Sequence, residues 1–386
     1  MNCTTLQGYR STQNWQFLSM AIIIITLACS VRAGAQTSDV RAVYDASAFI
    51  ETNIQGVHTF NEPPAGFNAV GASDEELAMY GFPPRPDKQN DPAAYSMWAK
   101  AMAASRIRWN GELKHSGLYS QAARRVHAPG AAAVSAAAAG PEKFYTTNWS
   151  GFVNTNNLTT YNANNSFYMV FSEFNVPTVS QAVNACDGGW DMEVSWNGID
   201  GDLDQGALLQ GGSLSGAFCS GSTKLNEYYA WVEWWPAYDI LTEFAINPGD
   251  DMYVETWATS PTQGYVFISD MTLSLHASYS LTPNGGPGLI GNTAEYIVER
   301  PCCNGSNPKP LANYVWDFWA NSYAYTFAGH AKGVTPYYPG STASSNELVY
   351  MSDDHDTFVI SAPTAQGKYG IFFEAEGCAV DPGCTP

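Results

Sequence analysis

Residues 228–236 read YYAWVEWWP, a stretch typical of a short β-strand. Successive side chains of a strand point to opposite faces, so every second residue from Tyr229 to Trp235 shares one face. That face carries the carboxylate of Glu233 between two indoles, those of Trp231 and Trp235. Such a face resembles the floor of a cleft.

Two other stretches direct polar side chains to strand faces. In ALLQGG at residues 207–212, Gln210 shares a strand face with Leu208. In AEYIVE at 294–299, Glu295 and Glu299 share one face. An amide and a carboxylate on the same side of a sheet either hydrogen-bond each other inside a core or form a polar site. Alternation alone leaves both interpretations open.

The composition favours a turn-rich β protein. Aromatic residues make up 13% of the 386 residues, charged residues only 14%, and glycine occurs 34 times. The net charge of −19 argues against nucleic acid as a partner, because phosphate binding needs clustered Lys and Arg. It also gives no support for a polybasic contact with a membrane surface.

The N-terminus has the features of a signal peptide. FLSMAIIIITLA at residues 17–28 has the length of a signal core and is short for a membrane span. Arg10 precedes it, and the small residues AGA at 33–35 form a cleavage pattern before Gln36. We therefore expect residues 1–35 to be removed, leaving a secreted protein with no membrane attachment.

Secretion makes the cysteines interpretable as disulfides, although six allow 15 connectivities. Those that remain after signal removal are Cys186, Cys219, Cys302, Cys303, Cys378 and Cys384. Cys186 and Cys219 flank one predicted strand region, and Cys378 with Cys384 closes a short C-terminal loop; the adjacent pair is not assigned. The sequence has no CxxC or HExxH motif, so we expect no metal site.

Residues 36–143 have a different pattern from the rest of the chain. SDEELAMYGF at 73–82 has the capping-box spacing of Ser73 and Glu76, and the alanine-rich residues 93–109 favour a helix. These features predict a partly helical pro-segment.

A domain boundary is predicted at residue 143. The low-complexity, alanine-rich residues 128–140 read as a linker and follow the dibasic pair Arg124–Arg125. Residues 144–386 then alternate short strands with Gly, Asn and Pro turns, which is typical of an all-β, antiparallel sandwich.

Charge divides at the same boundary. Of the 17 Lys and Arg only five follow residue 143, whereas 25 of the 36 acidic residues do. Below about pH 4, where carboxylates protonate, this domain gathers little positive charge and so avoids self-repulsion. The composition suits work in acid; an acidic protein kept soluble at neutral pH is the alternative.

Several familiar catalytic motifs are missing from the sequence. It contains neither a GxSxG elbow nor a glycine-rich phosphate loop, and no Asp-Thr/Ser-Gly pair of the pepsin type. SDDHD at 352–356 has oxygen ligands for a cation but reads better as an exposed acidic turn. What remains for chemistry is carboxylates, amides and tryptophans.

Five stretches of residues 148–299 occur in an order and spacing that resemble the eqolisins, the glutamic peptidases. They are NWSGFV (148–153), FNVPTV (174–179), WNGIDGDLDQGALLQGG (196–212), YYAWVEWWP (228–236) and AEYIVE (294–299). The resemblance implies a β-sandwich of lectin-like shape, acid endopeptidase activity on proteins and peptides, and a Gln/Glu dyad that needs no cofactor.

Carried over position by position, the resemblance implies Gln210 and Glu299 as the dyad and excludes Glu295. It implies substrate-binding roles for Trp196, Asp200, Trp231 and Glu233. Gly211 stands where the family commonly has threonine, and Tyr229 where it often has aspartate, which leaves the shape of the pocket open. In this interpretation the glutamate activates water and then protonates the leaving amine, while the amide stabilises the oxyanion.

Two other classes of function compete with a peptidase. Tryptophans beside carboxylates also suit a carbohydrate-active or carbohydrate-binding lectin-like sandwich, with Glu233 and Glu299 as a glycosidase pair about 5 Å apart. The other is a non-catalytic protein that keeps only the fold. We expect a monomer in each case.

Overall fold

The structure is a computed structural model that describes residues 43–44, 49–115, 141–182, 186–202, 206–301, 309–328, 337–339, 346–352 and 358–375. The side chains of residues 142, 187 and 238–243 lie outside this description. So do the expected signal peptide, the alanine-rich linker with its dibasic pair, four of the six cysteines and most of the acidic turn. All described residues belong to one compact unit that begins at Val40.

The segment before the linker forms two helices and three short strands. They are β1 (Phe49–Glu51), β2 (Val57–Phe60), α1 (Asp74–Met79), α2 (Pro92–Ala104) and β3 (Ile107–Arg108). The predicted capping box is confirmed, because the Ser73 hydroxyl accepts from Glu76 N and the Glu76 carboxylate accepts from Ser73 N. Asp91 caps α2, whose first residue is proline. Neither helix is long and apolar enough to cross a bilayer.

The remaining described strands follow the linker. In chain order they are β4 (Glu142–Thr146), β5 (Trp149–Thr155), β6 (Phe167–Asn175), β7 (Asp187–Ile199), β8 (Leu208–Ser220), β9 (Thr223–Trp235), β10 (Tyr238–Ala245), β11 (Asp251–Ser260), β12 (Gln263–Asp270), β13 (Leu275–Leu281), β14 (Thr293–Glu299), β15 (Trp316–Thr326), β16 (Asn346–Ser352), β17 (Val359–Gln366) and β18 (Gly370–Ala375).

Their pairings define two sheets. Sheet I runs β4-β16-β5-β14-β7-β8-β9-β10, and sheet II runs β13-β12-β11-β6-β15-β18. Strand β17 joins them at one edge, since it pairs with both β16 and β18. Among the described strands the pairings are antiparallel except for β4 with β16 and β3 with β13. The predicted antiparallel β-sandwich is confirmed.

The inner faces of the sheets enclose the main apolar core. Val232 and Trp234 of sheet I belong to the same buried cluster as Val254 of sheet II. One polar bridge crosses this core: Asn197 Nδ2 donates to the carbonyl of Val254 at 2.9 Å, and Thr256 Oγ1 donates to Asn197 Oδ1 at 3.0 Å. The buried amide is thus hydrogen-bonded and fixes one sheet against the other.

The outer face of sheet I carries a second apolar cluster, and we call this face the site face. Its buried apolar residues are Trp149, Val153, Met192, Val194, Trp196, Leu208, Leu214, Trp231, Ile297 and Val349. The predicted alternation is confirmed, because Tyr229 and Trp235 pack against this cluster while Val232 and Trp234 face the core. A disulfide between Cys186 and Cys219 links the regions of β7 and β8, as the sequence suggested.

Candidate active site

One transverse row of residues brings the polar side chains of the site face together. Glu295 of β14 is the cross-strand neighbour of Gly198 on β7, and Gly198 is the neighbour of Gln210 on β8. Gln210 is in turn the neighbour of Glu233 on β9. Cross-strand neighbours point to the same side of a sheet. Four consecutive strands, β14, β7, β8 and β9, therefore place Glu295, Gly198, Gln210 and Glu233 in one line across the sheet.

Gln210 is held in this row by Glu233. Its Nε2 donates to Glu233 Oε2 at 2.5 Å, and both residues are fully buried. Gln210 Oε1 is also buried and has no hydrogen-bond partner. A primary amide has two N–H donors and a carbonyl acceptor. One donor is used by Glu233, which leaves one N–H and the carbonyl of Gln210 for another group.

Glu295 is a fully buried carboxyl beside the hydroxyl of Thr293. Burial raises its pKa well above the ordinary value, and the nearby carboxyls of Asp200 and Asp202 raise it further. A hydrogen bond from Thr293 acts in the opposite direction. The raised pKa favours the protonated, uncharged form of this carboxyl in acid.

Gly198 separates Gln210 from Glu295 in the row, and the side chain of Leu208 lies over it. A Cβ at this position would lie 2.9 Å from Leu208 Cδ1 and 3.1 Å from the Cβ of Gln210. Because one strand separates them, the Cα atoms of Gln210 and Glu295 are about 10 Å apart, two strand spacings. A side chain in place of Gly198 would therefore collide with Leu208.

Glu299 lies elsewhere on the site face. Its cross-strand neighbour on β7 is Val194, four residues from Gly198, which corresponds to about 13 Å along the strand. Its carboxylate accepts from Trp196 Nε1 at 2.9 Å and from Asn148 Nδ2 at 3.4 Å. Gln210 and Glu299 thus lie on the same face, two strands apart, and the dyad expected from the sequence stays a prediction.

The predicted tryptophans form an apolar floor beside the row. Trp196 and Trp149 meet edge to face with ring centroids 5.0 Å apart. Gly212 is the cross-strand neighbour of both Trp196 and Trp231, and a Cβ on it would lie 1.9 Å from the Ser195 carbonyl. Glycine at this position lets the strands approach and leaves the indoles as the main surface there.

Asp200 positions the strand that carries Glu295. Its carboxylate accepts from the backbone N–H groups of Ile290, Gly291 and Asn292 at 2.6–2.9 Å. Burial raises its pKa to about 6, against the lowering effect of those hydrogen bonds. Both oxygens are occupied by the loop that leads into β14. These contacts give Asp200 a positioning role for β14, and its expected part in substrate binding stays a prediction.

Three features of the site were not predicted from the sequence. They are the alignment of Glu295 with Gln210 in one transverse row, the glycine at position 198 between them, and the hydrogen bond from Trp196 to Glu299. Strand alternation placed Glu295 and Glu299 on one face and could not separate them. The separating information is the register between strands that are distant in sequence. The glycine of WNGIDG was the available signal, because glycine inside a strand often marks a close approach.

Within the described residues, no group of three His, Cys, Asp or Glu side chains has the arrangement to hold a metal ion. The glycosidase pair considered from the sequence is not brought together either. Glu233 and Glu299 are three strands and four residues apart, roughly 19 Å by strand geometry. Glycosidase carboxyls lie about 5–10 Å apart. The arrangement is that of a β-sandwich hydrolase with an amide and a carboxyl on one face.

Comparison with known proteins gives the family. The model of the peptidase A4 family matches residues 147–339, half of the chain, and this range includes the whole transverse row. The chain belongs to the peptidase A4 family and is a glutamic endopeptidase.

Relatives of this chain include two fungal proteins. It is 27% identical over 239 residues to aspergillopepsin-2 of Aspergillus niger, covering 58% of this chain and 76% of that protein. It is 30% identical over 153 residues to scytalidopepsin B of Scytalidium lignicola, covering 38% of this chain and 56% of that protein. A crystal structure of scytalido-glutamic peptidase with a peptide-based transition-state analogue has a TM-score of 0.46 and 20% identity, covering 59% of this chain and 98% of that chain.

Proposed function

We propose that this protein is a secreted acid endopeptidase that hydrolyses peptide bonds with Gln210 and Glu299. Membership of the peptidase A4 family and the positions of these residues in ALLQGG and AEYIVE support this pair. Both side chains are fully buried on the site face, and the indole of Trp196 donates to Glu299. Gly212, the cross-strand neighbour of Trp196, lies two residues from Gln210 on the same strand and face.

The proposed reaction is a direct attack of water on the scissile carbonyl. Ionised Glu299 takes a proton from a water molecule shared with Gln210 as the water oxygen bonds to the carbonyl carbon. The remaining N–H of Gln210 donates to the oxyanion that forms. Glu299 then passes its proton to the amide nitrogen as the C–N bond breaks, which restores its ionised form.

Glu233 has a positioning role in this scheme. Its carboxylate fixes the amide of Gln210 through the bond to Nε2, so the other N–H of the amide has one direction. A preorganised donor stabilises developing charge without a reorganisation cost during the reaction. An amide does not titrate, and it remains a donor throughout the acid range.

Two titrations bound the range of activity. A general base must be ionised, so activity rises with pH on the acid side, in the ordinary range of carboxyl pKa values. The acidic domain accumulates negative charge as its carboxyls ionise toward neutral pH. Self-repulsion then opposes the compact state. The proposal therefore places the activity maximum in acid.

Acid proteolysis is the first expected result. The purified secreted protein should cleave denatured casein within roughly pH 2–5 and lose this activity at neutral pH. Chelators and serine-directed reagents should leave the rate unchanged, since neither a metal nor a serine nucleophile takes part. Incubation with β-glucans under the same conditions is the control for a carbohydrate-active sandwich. A maximum at neutral pH, or glucan cleavage without casein cleavage, would overturn the proposal.

Secretion and processing form part of the proposal. Residues 1–35 are a signal peptide, residues 36–143 a pro-segment with an alanine-rich linker, and residues 144–386 the peptidase domain. N-terminal sequencing of the protein in the medium should find an end near Gln36 before acid treatment and, after it, a new end near Arg124–Arg125 or within the alanine-rich linker. A fully active chain that begins near Gln36 and remains uncut after acid treatment contradicts the pro-segment assignment.

A further inference from the structure

The outer face of sheet II is an aromatic surface, and we call it the leader face. Its buried aromatic residues are Tyr168, Phe171, Tyr253, Trp257, Tyr265, Phe267, Tyr323 and Tyr325. The core between the sheets separates this face from the site face, because neighbouring residues on β11 such as Val254 point inward. Exposed aromatic patches of this size are rare on soluble monomers.

The leader covers this surface; by leader we mean the described residues 43–44 and 49–115. The buried leader residues in the same apolar cluster include Tyr44, Phe60, Leu77, Phe82, Met97, Trp98 and Met102. Tyr44 meets Trp257 edge to face at 5.5 Å between ring centroids, and Phe82 lies 5.7 Å from Phe267. Trp98 is fully buried. The leader and the outer face of sheet II therefore form one shared apolar core.

The leader also extends sheet II through its backbone. Strand β2 pairs antiparallel with the end of β13, and β3 pairs parallel with its beginning. Ile107 N donates to the Ser274 carbonyl at 2.9 Å, and Trp109 N donates to the His276 carbonyl at 2.8 Å. Without these strands β13 would present an open edge, which natural sheets avoid.

Polar contacts add specificity to the same interface. Lys100 of α2 donates to Asp251 at 2.8 Å and also to Glu173, so one ammonium bridges β11 and β6. Ser105 Oγ donates to Ser269 Oγ at 2.7 Å within the buried interface. The ring contacts and backbone hydrogen bonds of the same interface do not depend on the charge of these carboxylates.

We propose that the leader is a permanent structural subunit of the enzyme. When the backbone is cut between residues 115 and 141, the leader stays bound as a second, non-covalent chain. It does so in acid as well as at neutral pH, because apolar packing and strand pairing outweigh the ion pairs of Lys100. The location of the site face rests on the proposed function, but the retention of the leader does not.

The test is a cut made in the otherwise complete protein. A recognition sequence for a site-specific protease is inserted between residues 116 and 140, and the chain is cut after folding. Size-exclusion chromatography with mass spectrometry at pH 7 and at pH 4 should find both fragments in one peak at each pH. Separation of the fragments at either pH under non-denaturing conditions overturns the proposal.

Variants of the cut protein distinguish packing from simple aggregation. Trp98→Ala should release the leader at lower urea concentration than the parent, because it removes the largest buried side chain of α2. Met79→Ala, on the exposed side of α1, is the matched control and should leave release unchanged. Equal release by both variants and parent contradicts the proposed interface. Casein cleavage by the cut protein is scored separately, so a failed peptidase assay leaves the retention result intact.

Discussion

Glu299→Gln is expected to lower kcat/KM for protein substrates by about 10²–10⁴-fold, the usual contribution of a general acid–base group. The amide fills the same space but cannot take a proton from water. Its side-chain oxygen can still accept from the indole N–H of Trp196, so the fold should stay intact. The measurement is kcat/KM on a peptide substrate at the optimal pH of the parent, with thermal unfolding at the same pH.

Glu295→Gln is the matched control for this variant. Glu295 lies four residues earlier on the same strand and face, outside the proposed dyad, so we expect a loss of less than tenfold. A folded Glu299→Gln protein that cleaves at near the parent rate, beside an inactive Glu295→Gln protein, would contradict the proposed dyad.

The protein is expected to lose stability as pH rises from about 4 through neutrality. Its interior holds Glu193 and Asp317 as a carboxyl pair around Ser195, whose Oγ lies 2.5 Å from Glu193 Oε1 and 2.9 Å from Asp317 Oδ2. Burial raises the pKa of both carboxyls, and their mutual repulsion raises that of Glu193 further. The folded state therefore retains protons that the unfolded chain has released above about pH 4.

The sign and the size follow from this difference in bound protons. Stability is full below the unfolded pKa near 4 and falls by about 1.4 kcal/mol per pH unit for each extra proton held by the folded state. One such proton amounts to roughly 4 kcal/mol between pH 4 and 7, a large part of typical domain stability. His276 acts in the opposite direction, because burial lowers its pKa to about 3.

Urea unfolding at pH 4, 5.5 and 7 measures this dependence. We expect the midpoint to decrease at each step in the parent and to decrease less in the Glu193→Gln/Asp317→Asn double variant. The neutral amides keep the size of the side chains and cannot ionise. A parent midpoint that rises toward pH 7, or an unchanged slope in the double variant, contradicts the assignment of this pair.

The sequence predicts local features of the fold well because their causes are local. The hydroxyl of Ser73 and the carboxylate of Glu76 sit three residues apart, which is all that a capping box requires. Alternation along 228–236 likewise places Trp231 and Glu233 on one face, since that depends only on the geometry of a strand.

The site and the role of the leader could not be predicted in this way, because they depend on pairings between distant segments. Glu295, Gly198 and Gln210 form one row only because of the register of β14, β7 and β8. A register is selected by the packing of whole faces and not by the residues of one strand. The burial of the leader's aromatic residues likewise could not be predicted, because they pack against strands of sheet II that are distant in sequence.

A double-mutant cycle on Gln210 and Glu299 tests the central claim most directly. Gln210→Ala alone should lower kcat/KM by on the order of 10²–10³-fold, as for other oxyanion donors. Because both residues act on one water and one carbonyl, Gln210→Ala combined with Glu299→Gln should be scarcely slower than the slower of the two single variants. The account predicts this strong non-additivity for Glu299 and near-additive effects for Glu295→Gln. Additive effects at Glu299 together with coupling at Glu295 would contradict it.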